Sequence, residues 1–254
     1  MAHSRFETHH TAVVTGAARG IGLGIATRLA RQGVEVAILD RDADALATAQ
    51  AALRSEGLRT HAHTVDLTDG RQVQTAFEQV LQDFGKIDFL VNNAGAVRDT
   101  RFLKMSEDDW DLVVNTNLRS QFLCCKAALA GMVERGFGRI VNMSSRAWLG
   151  GFGQANYSAA KGAVVSLTRS LAIEFAAKGV TVNAIAPGIV DTPLFRNFAP
   201  DVQTRLKESV PAKRIGTPDD IALAVEFFLD PAASYITGQT LYVCGGRSLS
   251  SPSV

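Results

Sequence analysis

The stretch TAVVTGAARGIG, residues 11–22, decides the fold. A short apolar run, TAVVT, ends in a turn that carries Gly16, Gly20 and Gly22, and a helical pattern begins at about Ile21. Glycines between a strand and a helix let the backbone bend tightly and approach a diphosphate, which the N–H groups and dipole of the helix N-terminus attract. The stretch therefore predicts a phosphate-binding strand–turn–helix unit.

Strand and helix patterns alternate along the rest of the chain. Strand-like segments lie at 11–16, 34–40, 60–66, 87–93, 138–145, 180–187 and 239–246. Helical patterns lie at 21–31, 43–55, 73–84, 110–135, 155–178 and 219–229. This alternation is typical of βαβ units, whose right-handed crossovers bring the carboxyl ends of the strands to one edge. We expect an α/β fold in which residues 1–254 form a single domain: one doubly wound, Rossmann-type parallel sheet of about seven strands with helices on both faces.

The composition excludes several classes of protein. The chain has 254 residues, 46% of them hydrophobic, and a formal net charge of +1. No block of Lys and Arg indicates nucleic acid or an anionic membrane as a partner, and no apolar run reaches the roughly 18 residues of a membrane span. The polar start MAHSRFETHH lacks the apolar core of a secretory signal, and Cys124, Cys125 and Cys244 form no disulfide framework, so we expect a cytoplasmic protein. The five histidines lack metal-site spacing, so no metal is predicted.

Asp40 closes the second predicted strand and bears on the choice of nucleotide. A carboxylate here accepts hydrogen bonds from the 2′-hydroxyl of an adenosine ribose and repels a 2′-phosphate. Arg19 and Arg41 flank the same place and would pair with that phosphate, and an Asp before RDADAL also fits a helix cap. Because a carboxylate against a phosphate carries a strong electrostatic penalty, the sequence favours NAD, with NADP as the alternative.

Other strand ends are expected to line the same edge. Asp66, next to Leu67, follows the third strand and is placed to reach an adenine; NNAG (92–95) ends the fourth strand, and PGIVDT (187–192) ends the sixth. The predicted cofactor-binding residues are Gly16, Arg19, Gly20, Ile21, Gly22, Asp40, Arg41, Asp66, Leu67, Asn93, Ala94, Gly95, Tyr157, Lys161, Pro187, Gly188, Val190 and Thr192.

Tyr157 and Lys161 lie four residues apart in NYSAAK, on one face of a predicted helix. Such a pair is commonly a surface tyrosine packed on a lysine stem. Here, however, TGAARGIG, NNAG, the Asn117 of NTNL, the serines of NMSS, NYSAAK and PGIVDT occur together, in the order and approximate spacing of the short-chain dehydrogenase/reductase family. The chain resembles that family from about Thr11 to Gly246.

The resemblance implies a catalytic set of Asn117, Ser145, Tyr157 and Lys161. Tyr157 would be the general acid/base, Ser145 would polarise a carbonyl, and Asn117 would hold a water in a relay with Lys161. Lys161 would bind the nicotinamide ribose and lower the pKa of Tyr157, because a free phenol has a pKa of about 10 and a nearby cation favours its phenolate. Position on the strand favours Ser145, whereas the family's usual spacing to the tyrosine favours Ser144, which stays the alternative.

The expected function is hydride transfer between NAD(H) and a small-molecule secondary alcohol or ketone. The alternatives are an NADPH-dependent 3-oxoacyl-thioester reductase and a non-catalytic nucleotide-binding scaffold, against which the intact catalytic set argues. The resemblance also implies a homotetramer packed through the helices at 110–135 and 155–178, and it places Cys244 where the family usually has an acidic residue.

A substrate lid is predicted at 192–210, a segment that mixes aromatic and basic residues. Trp148, Leu149 and Phe152 either line an apolar pocket or pack on this lid. Taken as pocket residues, they favour a moderately apolar or ring-containing alcohol.

Overall fold

Seven parallel β-strands form the centre of the protein, whose computed structural model describes Phe6 and residues 10–249. The strands are β1 (Thr11–Thr15), β2 (Glu35–Asp40), β3 (Thr60–Thr64), β4 (Phe89–Asn92), β5 (Gly138–Met143), β6 (Val180–Pro187) and β7 (Thr240–Val243). They lie in the order β3-β2-β1-β4-β5-β6-β7, and each neighbouring pair is parallel. The predicted α/β class, a doubly wound Rossmann-type sheet, is therefore confirmed. Most of the polar start and residues 250–254 lie outside the described residues.

Nine α-helices of the described residues cover the two faces of the sheet. They are α1 (Gly20–Arg31), α2 (Ala43–Ser55), α3 (Gly70–Phe84), α4 (Glu107–Val114), α5 (Ser120–Arg135), α6 (Ala155–Phe175), α7 (Pro193–Arg196), α8 (Pro200–Glu208) and α9 (Pro218–Leu229). None of these helices combines the length and the apolar character that crossing a membrane would require.

The core lies in two layers, one on each side of the sheet. Along β1, Val14 faces the layer shared with α1, α2 and α9, whereas Val13 faces the layer shared with α3, α5 and α6. Both valines are fully buried, as expected for a strand of a parallel sheet that is covered on both faces. Because both faces are covered, the edge formed by the strands' carboxyl ends is where a ligand has access.

The region predicted as one helix, 110–135, differs from that prediction. α4 already begins at Glu107, because the Oγ atom of Ser106 accepts a hydrogen bond from the N–H of Asp109 (3.1 Å). A π-helical turn, Asn115–Arg119, then separates α4 from α5. Such a turn holds one extra residue and changes which side chain points inward, and it is frequent at functional sites. Asn117 lies in this turn.

Candidate active site

The Gly-rich turn between β1 and α1 leaves no room for a side chain at Gly16 or Gly22. Gly16 and Gly20 have positive φ angles, 62° and 58°, which favour glycine. A β-carbon on Gly22 would lie 2.2 Å from the carbonyl oxygen of Gly16, and one on Gly16 would lie 2.8 Å from the Cα of Ala94. The turn therefore presents bare backbone at the N-terminus of α1, an arrangement that fits a diphosphate.

Asn93 fastens the loop after β4 to this turn. Its Nδ2 atom donates to the carbonyl oxygens of Thr15 (3.0 Å) and Gly16 (3.1 Å), and its backbone N–H donates to the Oγ1 atom of Thr15 (2.9 Å). The N–H of Ala94 donates to the same hydroxyl (3.0 Å). The side chain of Asn93 thus shapes the turn, while Ala94 and Gly95 offer only backbone and a methyl group to a ligand.

Asp40 lies at the end of β2, beside the Gly-rich turn. Its Oδ2 atom accepts a hydrogen bond from the N–H of Ala18 (3.1 Å), and its Oδ1 atom accepts one from the N–H of Asp42 (3.1 Å). The cap of α2 is Asp42, which accepts from the N–H of Ala45 (3.1 Å). The helix-cap explanation of Asp40 is therefore wrong, because the neighbouring aspartate has that role.

The two arginines at this site are in different situations. Both side chains are exposed, but Arg19 forms an ion pair with Asp42, whereas no ion pair of Arg41 is found among the described residues. A hydrogen bond from the N–H of Ala45 holds the pKa of Asp42 below its usual range, and the charges of both arginines lower it further. The charge of Arg19 is thus already compensated by a neighbour.

The residues predicted after the third strand divide into two kinds. Asp66 is exposed, and its Oδ1 atom accepts hydrogen bonds from the N–H (2.9 Å) and the hydroxyl (2.7 Å) of Thr68. Leu67 is buried in the core layer of α3, since β3 ends at Thr64 and the chain has turned inward. Only the backbone of Leu67 is available to a ligand.

Ser145, Tyr157 and Lys161 meet at the carboxyl end of β5. The Nζ atom of Lys161 lies 5.6 Å from the centre of the Tyr157 ring, one turn earlier in α6. The Ser145 side chain lies close enough to the Tyr157 phenol to lower the pKa of that phenol, and the Ser145 Oγ atom accepts a hydrogen bond from the N–H of Ala147 (3.1 Å). Ser144 points away and donates to the carbonyl oxygen of Lys161 (2.8 Å). Of the two serines, Ser145 is the one that faces the tyrosine.

Asn156, which the sequence analysis did not single out, holds the start of α6. Its Nδ2 atom donates to the carbonyl oxygens of Arg98 and Asp109 (3.2 Å each), and its Oδ1 atom accepts from the N–H of Tyr157 (2.7 Å). It is fully buried. The sequence signal that could have indicated Asn156 is its place in the first turn of an Ala-rich helix. An amide side chain that is buried there needs hydrogen-bond partners.

Burial sets the protonation of the two central groups. Lys161 donates to the carbonyl oxygen of Met143 (2.8 Å), and burial lowers its pKa to about 7. Burial also raises the pKa of Tyr157, while the neighbouring Ser145 side chain lowers it and the charge of Asp99 raises it. The expected lowering of the Tyr157 pKa therefore does not arise within the protein alone. A positively charged nicotinamide ring would favour the phenolate in addition.

Asn117 faces the same place from the π-helical turn. Its Nδ2 atom donates to the carbonyl oxygens of Ala96 (2.7 Å) and Val113 (2.8 Å), and its Oδ1 atom is buried without a hydrogen-bond partner among the described residues. A β-carbon on Gly95 would lie 2.7 Å from that Oδ1 atom and 3.6 Å from the Nζ atom of Lys161. Glycine at 95 thus keeps open a small space between an orphan acceptor and an ammonium.

A cavity of about 1080 Å³ opens above this cluster. Its base includes the residues predicted after β6: Pro187, Gly188, Val190 and Thr192. The predicted lid, 192–210, forms the two short helices α7 and α8 and contributes apolar side chains to the opposite wall: Leu194, Phe195, Phe198, Val202 and Leu206. The cavity also reaches Ile21 and Gly95, so it joins the Gly-rich turn to the cluster of Ser145, Tyr157 and Lys161.

The loop after Ser145 contributes to the cavity in part. Leu149 and Phe152 line it. Trp148 instead stacks on Tyr242 of β7, with 6.5 Å between ring centres. Arg146 and Arg247 line the cavity as well, and neither was predicted. A charged residue directly after Ser145 was the signal that could have indicated Arg146.

Comparison with known proteins gives consistent matches over nearly the whole chain. A family model described as enoyl-(acyl carrier protein) reductase matches residues 16–248. A hydroxy(phenyl)methyl-succinyl-CoA dehydrogenase subunit, BbsD of Thauera aromatica, is 44% identical, over 95% of this chain and 97% of that protein. The 3-oxoacyl-acyl-carrier-protein reductase FabG of Vibrio cholerae is 41% identical, over 92% of this chain and 96% of that protein. The chain belongs to the short-chain dehydrogenase/reductase family.

A solved structure extends this similarity to the backbone. An actinorhodin polyketide ketoreductase variant, solved with NADPH, superposes with a TM-score of 0.90 at 36% identity, covering 94% of this chain and 97% of that one. As a short-chain dehydrogenase/reductase, the protein is an oxidoreductase. The bare Gly-rich turn, the carboxylate at the end of β2 and the orphan amide beside Lys161 fit the dinucleotide of such an enzyme.

Proposed function

We propose that this protein transfers hydride reversibly between NAD(H) and a secondary alcohol or ketone, with Tyr157 as the general acid/base. The observation that carries the proposal is that Ser145 and Tyr157 both line a large cavity, with the buried Nζ atom of Lys161 lying 5.6 Å from the centre of the Tyr157 ring. Tyrosine in such a place can give or take a proton while substrate lies against it.

The nicotinamide ring supplies the hydride chemistry, and the side chains supply positioning and proton transfer. Ser145 would donate a hydrogen bond to the substrate oxygen, which aims that oxygen at the phenol of Tyr157. Lys161 would hold a ribose hydroxyl and add positive potential as the phenolate forms. Asn117 would offer its orphan Oδ1 atom to a water beside Lys161, which gives the proton a route away from Tyr157.

The preference for NAD rests on Asp40. Its carboxylate lies beside the Gly-rich turn, where a negative charge would repel a 2′-phosphate, and Arg19 is already paired with Asp42. We therefore expect NADH to bind at least about tenfold more tightly than NADPH, which corresponds to roughly 1.4 kcal/mol.

The substrate class is proposed from the relatives together with the cavity. BbsD acts on an acyl-CoA that carries a hydroxyl, and FabG acts on 3-oxoacyl groups on a carrier protein. Both are acyl thioesters with an oxygen function along the chain, and the cavity here has room and apolar walls for an acyl chain. We propose a 3-hydroxyacyl or 3-oxoacyl thioester as the substrate. The FabG likeness also keeps NADPH-dependent reduction as the second candidate.

The test begins with calorimetric binding of NADH and NADPH to the purified protein and to Asp40→Asn. Asparagine has a shape similar to that of aspartate but no charge. The ratio of the NADPH and NADH dissociation constants should therefore fall at least about tenfold in Asp40→Asn. Tighter binding of NADPH to the unaltered protein would contradict the NAD assignment and favour the FabG-like candidate.

Turnover is then measured with 3-hydroxybutyryl-CoA and, in the reverse direction, with acetoacetyl-CoA. Tyr157→Phe should lower kcat by about 10²–10⁴-fold while NADH still binds. Tyr235→Phe is the matched control, because that ring is fully exposed outside the cavity. Unchanged turnover in Tyr157→Phe would overturn the proposed role.

A further inference from the structure

Gln121, which the sequence analysis did not single out, lies on the buried side of α5. It is 1% exposed, and its Nε2 atom donates a hydrogen bond to the carbonyl oxygen of Met143 (3.2 Å). The same carbonyl oxygen accepts the hydrogen bond from the Nζ atom of Lys161 (2.8 Å). The amide of Gln121 and the ammonium of Lys161 therefore meet at one oxygen atom.

Two amide oxygens in this region are acceptors without a donor. The Oε1 atom of Gln121 and the Oδ1 atom of Asn117 are both buried, and neither has a hydrogen-bond partner among the described residues. The two residues are four apart, so their side chains lie about one helical turn from each other on one face. A buried amide oxygen without a donor costs free energy, so each of these two atoms calls for a partner.

Lys161 has N–H groups that could meet this need. Its ammonium has three, and the carbonyl oxygen of Met143 accepts one of them. In the proposed function a ribose hydroxyl accepts the second, which leaves the third N–H for another acceptor. Burial lowers the pKa of Lys161 to about 7, and no neighbouring charge in the described part of the chain offsets that effect. Neutral oxygen atoms are therefore what can stabilise this ammonium.

Gly95 keeps a space open between these groups. A β-carbon on Gly95 would lie 2.7 Å from the Oδ1 atom of Asn117 and 3.6 Å from the Nζ atom of Lys161. A water molecule in this space can accept a hydrogen bond from Lys161 and donate its own two to the amide oxygens of Asn117 and Gln121. Three hydrogen bonds are typical of a buried water.

We propose that Gln121 is a positioning residue that, together with Asn117, holds a buried water against the Nζ atom of Lys161 and through that water keeps the ammonium charged. Acceptors around a cation favour its charged form, which in turn favours the phenolate of Tyr157. The effect on turnover rests on the proposed function, whereas the water and its effect on Lys161 do not.

The first test measures the titration of Lys161 itself, by carbon NMR of protein labelled at the ε-carbon of lysine, with Lys161→Met to assign the signal. Gln121→Met has a similar shape and no oxygen acceptor, so it should lower the midpoint by about one pH unit. Gln121→Glu keeps an acceptor and adds a negative charge, so it should raise the midpoint. Gln50→Met is the matched control, because Gln50 also donates to a backbone carbonyl oxygen, that of Thr60, at 3.2 Å.

An unchanged midpoint in both Gln121 variants would overturn the inference, and so would an equal shift in Gln50→Met. Urea unfolding shows whether each variant is folded. If Gln121→Met does not fold, Gln121→Glu still decides the question through the upward shift that it should cause.

The second test is a crystal structure of the unaltered protein at a resolution that shows ordered water. We expect a water within about 2.6–3.2 Å of the Nζ atom of Lys161, the Oδ1 atom of Asn117 and the Oε1 atom of Gln121. A water that contacts Lys161 but not Gln121, or no water at this place, would overturn the inference.

The third test measures the single-turnover rate of NADH formation from 3-hydroxybutyryl-CoA at pH 6 and pH 7.5. The ratio of the rates of the unaltered protein and Gln121→Met should be about twofold at pH 6 and at least about fivefold at pH 7.5, because the variant's Lys161 loses its proton in this range. The same ratio at both pH values would mean that Gln121 supports the fold alone, and would overturn the inference. If the unaltered protein turns over no thioester, the proposed substrate class is wrong, and the titration and the crystal structure still decide the role of Gln121.

Discussion

At the scale of single residues, the burial of Lys161 affects both the stability of the protein and the protonation of the candidate active site. The ammonium is enclosed between β5 and Tyr157, and burial brings its pKa from 10.5 to about 7. A lysine with such a pKa is close to its midpoint at neutral pH, so a modest change in its surroundings shifts its charge. Groups perturbed in this way are concentrated at functional sites.

The first prediction concerns the pH dependence that this burial causes. Between about pH 7 and 10 the unfolded chain holds a proton on Lys161 that the folded protein does not, so this residue makes the free energy of unfolding rise with pH by about 1 kcal/mol per unit. Below about pH 7 both states are protonated, and the folded state bears the whole cost of burial. Lys161→Met should abolish this rise, as measured by urea unfolding between pH 6 and 9.

Lys104→Met is the matched control, because Lys104 is exposed and lies outside the cavity. The stability difference between this variant and the unaltered protein should not change with pH. A constant difference for Lys161→Met as well would mean that the buried ammonium keeps its proton throughout, which would contradict the prediction.

Some site residues could be read from the sequence, and others could not, for reasons visible in the structure. Ser145 and Asp40 were predicted from their positions at strand ends, and a strand end fixes where a side chain points. For Leu67 the sequence did not show which of its groups would face a ligand: β3 ends at Thr64, and the Leu67 side chain is buried in the core. Arg146 and Arg247 line the same cavity from distant parts of the chain, so no local pattern indicates both of them.

At the scale of elements, α6 is joined to β5 by a line of polar contacts. The Nδ2 atom of Asn142 donates to the Oγ1 atom of Thr168 (3.0 Å), and its Oδ1 atom accepts from Asn92 of β4 (2.9 Å). About two turns of α6 nearer the cavity, Ser144 and Lys161 add the contacts described above. We call this line, formed by Asn142, Ser144, Lys161 and Thr168, the polar seam. These contacts fix both the position of α6 along β5 and the rotation of α6 about its own axis.

The second prediction tests this polar seam. Thr168→Val keeps the shape of the side chain but leaves the Asn142 amide without its acceptor, and it should lower the free energy of unfolding by about 1–3 kcal/mol. Thr168→Ser keeps the hydroxyl, so it should cost less than half as much. Urea unfolding measures both. A larger loss in Thr168→Ser than in Thr168→Val would contradict the prediction, because it would indicate that the methyl group, rather than the hydrogen bond, stabilises this contact.

The bounds of an element were predicted best where the apolar pattern and a chain-breaking residue indicate the same end. The strand predicted at 180–187 has those bounds in the structure, because its apolar run ends at Pro187. The start of α3 was placed too late: Asp69 caps it through the N–H groups of Arg71 and Gln72, ahead of the first apolar residue. The π-helical turn was not predicted at all, since one extra residue between two regular helices leaves the apolar pattern on either side unchanged.

At the scale of the whole molecule, apolar surface on α5 and α6 supports the homotetramer expected from the sequence. Phe122 and Ile173 are exposed, at 47% and 84%. A cavity of about 390 Å³ lies between the two helices and is lined mainly by apolar side chains, including Phe122, Leu129, Val133, Leu167, Leu171 and Phe175. Such a surface is typical of a protein–protein contact. We propose that four copies associate through it.

The third prediction follows from this surface. Ile173→Glu would place a charge in the contact, and it should reduce the mass measured by light scattering after size-exclusion chromatography to that of a dimer or monomer. Leu103→Glu is the control, because Leu103 is 97% exposed outside these helices and should leave the mass unchanged. A tetramer that persists in Ile173→Glu would place the interface elsewhere on the molecule.

The polar seam also bears on how readily this enzyme can acquire new substrates. It fixes Tyr157 and Lys161 through the contacts of α6 with β5. The cavity walls available to a substrate come instead from α7, α8 and the loop after Ser145. In the proposed function, chemistry and selectivity would therefore be carried by separate parts of the chain. A mutant library confined to Leu194, Phe198 and Leu206 should yield altered selectivity at little cost in folding, and a library that includes Asn142 or Thr168 should yield mostly unfolded protein.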